Sequence, residues 1–133
     1  MRRAVALTLA GLALAGCASD RERDVKANRS LYAQLPRFPG AHLRSETSSA
    51  RREEDGTILG YDTRFDLSLP PQTTPTSVAA FYRRKLLPKW RLVETLDGPV
   101  LNFRRGNASV SINLDNWRVH ILEIAVDHSS YAR

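Results

Sequence analysis

From Ile58 to Leu69 the chain alternates in character at every residue. Leu59, Tyr61, Thr63, Phe65, Leu67 and Leu69 fall on one side, and Ile58, Gly60, Asp62, Arg64, Asp66 and Ser68 on the other. A period of two puts successive side chains on opposite faces of a strand, so the pattern predicts a half-buried antiparallel strand. Pro70-Pro71 then break it. Thr74 offers a hydroxyl to the first turn of a helix, and Pro75 suits the first helical position. Val78, Phe81, Tyr82 and Leu86 recur at i, i+3, i+4 and i+8, the stripe of an amphipathic helix of about three turns ending before Pro88.

The remaining segments are shorter. Ala41–Ser48 shows a thin apolar side and reads as a strand near the sheet edge, followed by a hairpin loop over Ser49–Gly56. Asp55-Gly56 supplies that loop's turn signal. Trp90, just past the helix, is expected to fill a corner of the core, as Phe38 is between Pro36 and Pro39. Arg91–Leu96 turns at Asp97-Gly98 and returns through Leu101 and Phe103. After Arg105-Gly106-Asn107, the positions Ala108, Val110, Ile112 and Leu114 alternate with polar residues. Asp115-Asn116-Trp117 turns into Arg118–His128. There the alternation slips between Ile121 and Leu122, which a bulge or a strand covered on both faces would produce. These segments predict an α+β fold: an antiparallel sheet of about five strands in the order β-β-α-β-β-β, with one amphipathic helix on one face. A single domain over 36–128 follows, with a polar tail at 129–133.

The chain opens differently. Arg2-Arg3 precede an apolar run from Ala4 to Leu14, too short for a transmembrane helix and proportioned like an export signal. The run ends in Leu14-Ala15-Gly16-Cys17, and Cys17 is the one cysteine of the 133 residues. A single cysteine excludes an internal disulfide, a Cys-X-X-Cys pair and a cysteine zinc site. Leu, small, small, Cys resembles the substrates of the lipoprotein signal peptidase. The resemblance implies removal of residues 1–16, with cleavage between Gly16 and Cys17, and a diacylglyceryl thioether and N-acyl group on Cys17. Residues 17–35 are then a lipid-anchored tether, polar and of mixed sign to Asp24, with a thin helix expected from Asp24 to Gln34 as a flap.

Charge alters this picture little. The formal net charge is +6, and without Arg2 and Arg3 it is +4, from 18 Lys and Arg against 14 Asp and Glu. Arginine outnumbers lysine 17 to 3, which reads first as genomic composition and second as an affinity for anions. Export removes nucleic acid from the expected partners. Arg83, Arg84, Lys89, Arg104 and Arg105 form a candidate anion-contact patch if the helix end and the 104–107 turn meet.

Other chemistry has little footing. His42, His120 and His128 show no metal spacing; the last two stand about 26 Å apart on one strand. Glu53-Glu54-Asp55 lacks the alternation of a calcium loop. Asp62, Arg64 and Asp66 read as a surface ion-pair row. With no nucleophile elbow, phosphate loop or zinc helix, no catalytic residue, metal or cofactor is expected.

A further resemblance rests on Phe38-Pro39-Gly40-Ala41, on Val78-X-X-Phe81-Tyr82 with Leu86, and on Trp90. Together they resemble a loose class of small bacterial lipoproteins over about residues 36–126, in which Gly stands where this chain has Lys89. Both resemblances imply an envelope protein. The expectation is a non-enzymatic binding or structural module whose partners are a membrane, through Cys17, and another envelope protein or an anionic polymer. The alternatives are a carrier holding a lipid or small hydrophobe between helix and sheet, and an enzyme on an envelope substrate. Ala18, where Asp would retain a lipoprotein at the inner membrane, implies the periplasmic face of the outer membrane in a two-membraned cell. In a one-membraned cell it implies the outer face of the cell membrane.

Overall fold

The computed structural model describes residues 12–93, 100–114 and 120–128, with side chains from Asp20 onward. The element order is α1 (Leu12–Gln34), β1 (His42–Arg52), β2 (Ile58–Ser68), α2 (Pro75–Leu86), β3 (Arg91–Val93), β4 (Val100–Arg105), β5 (Ala108–Asn113) and β6 (Ile121–His128). The class is α+β. One antiparallel sheet of six strands, in the spatial order β1-β2-β6-β5-β4-β3, carries both helices on one face. The sheet has six strands where about five are expected; four of them follow α2, the first being Arg91–Val93, an edge strand paired with Arg104–Asn102.

The long strand behaves as its alternation dictates. Thr63, Phe65, Leu67 and Leu69 are buried, and they meet Leu122, Ile124 and Val126 of β6 and Ala108, Val110 and Ile112 of β5 in one apolar layer. α2 covers this layer with Val78, Tyr82 and Leu86. Its start is fixed by a reciprocal box: Thr74 Oγ1 accepts from Ser77 N–H, and Ser77 Oγ accepts from Thr74 N–H, each at 3.2 Å. Phe81 lies at the rim of the stripe, half-buried and edge-on to both Phe38 and Tyr82. Because β3 lies at the opposite edge from β1, α2 and its flanks carry the chain across the sheet.

Three expected boundaries move. β1 extends to Arg52, since Ser49, Ala50 and Arg51 pair with Asp62, Tyr61 and Gly60; the loop shrinks to residues 53–57. β6 begins at Ile121, after a left-handed His120 (φ 50°). It then alternates without a bulge as a central strand, so its phase is regular from its first residue. The third change is larger. The helix expected over Asp24–Gln34 as a flap is the end of α1, which already begins at Leu12, and Asp24, Asn28, Leu31 and Leu35 are buried against the sheet, so residues 24–35 pack on the domain. Pro36 ends α1. Stacking of the Tyr32 ring on Phe65, 3.8 Å between centroids and 7° between planes, seals the helix to the layer.

Several expectations lie outside the described residues: the segment 1–11, the turns Asp97-Gly98 and Asp115-Asn116-Trp117, the stretch 94–96 and the tail 129–133. Gly16 and Cys17 fall within the span of α1, but their side chains are outside the description. No helix of the described residues is long and apolar enough to cross a membrane.

Candidate functional site

Charge is divided between the two halves of the sheet. From Leu67 to Val93 and from Val100 to Leu114 there is no carboxylate, while Arg83, Arg84, Lys85, Lys89, Arg91, Arg104 and Arg105 all lie there. The described carboxylates belong to α1, β1, β2, β6 and the β1–β2 loop. Among the described residues this places the cations of α2, β3 and β4 apart from the carboxylates, an arrangement that favours anions near them. Glu94, Asp97 and Asp115 lie outside the described residues.

The positive half contains a trough where α1, α2 and the β4–β5 turn end together. Lys89 N–H and Trp90 N–H both donate to Leu86 carbonyl, at 2.9 and 2.8 Å, tightening the chain as it leaves α2. Lys89 is not left-handed, so this turn needs no glycine at position 89. Trp90 is thereby driven into the corner, 6% exposed, and Arg105 lies over its ring with the guanidinium carbon 4.5 Å from the centroid. A flat guanidinium on an indole face is held by cation–π attraction and keeps its edge donors free. Lys85 and Lys89 flank it, with Leu31, Gln34, Leu35 and Pro36 on the α1 side, around a space of about 360 Å³. A second space of about 350 Å³ shares Leu31, Gln34 and Arg105 and continues past Ser30, Asn107 and Ala108 to His128.

Cations in the last turn of a helix have a local reason, since the helix dipole favours them there. That accounts for Arg83, Arg84 and Lys85. It does not account for Arg105, which arrives from β4. Among the described residues no carboxylate pairs with Lys85, Lys89 or Arg105. The trough thus gathers cations from α2, from the segment after it and from β4, with the neutral donor Gln34 beside them, an arrangement suited to holding an anionic group.

Of the five residues expected in an anion-contact patch, two meet here: Lys89 and Arg105. Arg83 and Arg84 are exposed on α2 outside the trough. Arg104 alternates to the opposite face from Phe103 and stands in register with Arg91. Lys85, Gln34 and Trp90 complete the site. Lys85 was legible as the residue bordering the Tyr82–Leu86 stripe; Gln34 had no signal, because its helix hides its buried side in polar residues.

Other candidates disperse. His42 opens β1, His120 precedes β6 and His128 ends it. Among the described residues no group of three His, Cys, Asp or Glu is placed to hold a metal ion. The row on β2 does not neutralise itself: Arg64 pairs with Glu123 of β6 at 3.3 Å, and Asp66 accepts from Ser45 at 2.8 Å. A cleft of about 510 Å³ between α1 and β1 is lined by both signs, and its Arg29 and Glu46 pair at 2.6 Å.

A polar seam fastens α1 to the sheet. Asn28, fully buried, donates from Nδ2 to Tyr61 carbonyl (2.8 Å) and to Thr63 Oγ1 (3.2 Å), and its Oδ1 accepts from His128 N–H (2.9 Å). Thr63 Oγ1 also shares a hydrogen bond with Ser48 Oγ at 2.9 Å. Nearby, Arg51 pairs with Asp127 at 2.9 Å. Gly60 (φ 151°) leaves the gap this needs, since a Cβ there would meet Arg51 Nη2 at 3.3 Å and Asp24 Oδ2 at 3.6 Å. Desolvation raises the Asp127 carboxyl above its ordinary range, Arg51 opposes this, and Asp62 and Asp24 add to the rise. Burial likewise pushes the Tyr82 phenol well above its ordinary range.

Comparison with known proteins gives no matching family model, no matching curated protein and no matching solved structure.

Proposed function

We propose that this chain is an exported lipoprotein, anchored to a bacterial membrane by lipid on Cys17, whose domain binds an anionic group of an envelope component in the trough. The observation that carries the binding role is the convergence of Lys85, Lys89 and Arg105 around Trp90 with no carboxylate among the described lining residues. The anchor is supported by Arg2-Arg3, the short apolar run and Leu14-Ala15-Gly16-Cys17. Ala18 supports the outer membrane as the destination in a two-membraned cell.

The module is non-enzymatic in this reading. Cations, two amides, a hydroxyl and the His128 imidazole line the two spaces of the trough, and these groups bind and orient anions. Storage of a hydrophobe behind Phe65 is disfavoured by the Tyr32 ring stacked there.

Two substitutions test the two halves of the reading. Cys17→Ser should abolish lipid labelling and release the domain from membranes; continued labelling contradicts the anchor. Lys89→Glu with Arg105→Glu should weaken retention on phosphocellulose far more than Arg83→Glu with Arg84→Glu, which makes the same change in net charge outside the trough. Equal losses would mean that diffuse charge, not the trough, does the binding.

A further inference from the structure

Resting on the lipoprotein reading, we infer that α1 is a stiff strut holding the trough away from the bilayer that carries Cys17, so that its ligand is a phosphate- or carboxylate-bearing polymer of the aqueous compartment and not a headgroup of that bilayer. A coiled tether would let the domain reach down to its own membrane. α1 removes that freedom. Between Ala18 and Gln34 there is neither Gly nor Pro, and the helix is continuous over Leu12–Gln34. Asp24, Asn28, Leu31 and Leu35 fasten it to the sheet, so only residues 18–23 separate the lipidated residue from the first docked one. At 1.5 Å per residue, Cys17 to Asp24 is about 10 Å along the axis, while Cys17 to the trough residues Ala27–Gln34 is about 15–25 Å.

The strut has no means of lying flat in the interface. Residues 18–23 are Ala-Ser-Asp-Arg-Glu-Arg, without an apolar face to bury among lipid chains. Their charges cancel, Asp20 and Glu22 against Arg21 and Arg23, and Arg23 pairs with Asp20 at 3.1 Å and with Asp24 at 3.5 Å. Attraction to anionic headgroups is therefore weak at the anchored end and strong at the far end, where the unpaired cations sit. The elongated form of the trough, two adjoining spaces sharing Arg105, suits repeated anions along a chain better than a single one.

The test uses the lipidated chain purified from membranes and placed in vesicles of phosphatidylcholine and phosphatidylglycerol with acceptor dye on the headgroups. Donor dye is attached at Arg52→Cys, in the strand end beside the Arg51–Gly60–Asp24 contact, or at Arg84→Cys, on α2. Energy transfer should be clearly stronger from position 52. Lipid present with equal transfer from both overturns the strut alone; a free Cys17 thiol in the mass spectrum overturns the lipoprotein reading and the strut with it. In parallel, the unlipidated Cys17→Ser chain should bind a short soluble polyphosphate in a salt-sensitive way. Lys85→Gln, Lys89→Gln and Arg105→Gln together should weaken that binding about tenfold or more. No binding overturns the ligand class. Vesicle binding that depends on the same three residues, and exceeds polyphosphate binding, assigns the trough to headgroups and overturns the proposal.

Discussion

Replacing Asn28 by Ala should weaken the fold as much as removing a large core side chain, although Asn28 is polar and lies on a helix with almost no apolar face. Truncation leaves the Tyr61 carbonyl and the His128 N–H without their partner, while Thr63 retains Ser48. A buried backbone group left unpaired costs about 1–3 kcal/mol, and these two are part-buried, so each falls toward the low end. The better helix propensity of Ala returns less than about 0.7 kcal/mol. The net expectation is a loss of about 1–4 kcal/mol, a large share of the roughly 5–15 kcal/mol by which a domain is stable. Urea unfolding followed by tryptophan fluorescence reads the loss. Arg29→Ala is the control: it breaks an ion pair whose Arg side chain is 63% exposed and should cost about 0–1 kcal/mol. If Asn28→Ala unfolds within about 0.5 kcal/mol of the parent, the seam does not hold α1 and the account of that helix fails.

Three further outcomes follow from the packing. Gly40→Ala should cost well over the about 1–2 kcal/mol of a left-handed alanine, because its Cβ would lie 2.6 Å from Pro70 Cγ; Gly106→Ala, with open space around it, should cost only that backbone penalty, and equal midpoints would refute the contact. Phe65→Ala should lose about 3–5 kcal/mol, and Phe81→Ala, at the rim, clearly less; the reverse order in urea unfolding would place α2 wrongly on the sheet. Asp127 has a folded pKa above its unfolded value, so its favourable contribution is complete below about 3.8 and is lost as pH rises through the raised folded value. Asp127→Asn should accordingly flatten the decline in the urea midpoint above that pH, and an unchanged pH profile would show that the carboxyl is not desolvated.

What the sequence disclosed depended on whether burial and hydropathy coincide. In β2 and α2 they do: Phe65 and Leu67, then Val78, Tyr82 and Leu86, are apolar where they are buried, and two periods suffice to place both elements. α1 buries residues 24, 28, 31 and 35, a regular helical spacing, yet the first two are Asp and Asn. Asn28 is held by hydrogen bonds to β2 and β6, which no local pattern contains, while Asp24 pairs with its neighbour Arg23. Hydropathy therefore showed the thin apolar side of a flap, Leu31 and Leu35, and gave no sign that Asp24 and Asn28 are buried beside them. The trough was half legible for a related reason. Runs of cations stand out along the chain, but which of them converge depends on strand parity: Arg104 and Arg105 are neighbours in sequence, and only Arg105 reaches Trp90.

The most direct test of the central claim is the intact mass of the protein extracted from a bacterial envelope. Loss of residues 1–16, with Cys17 as the new amino terminus carrying a diacylglyceryl group and an amide-linked acyl chain, is the predicted result. An unprocessed amino terminus, or a free Cys17 thiol on a protein that washes off the membrane, would contradict it.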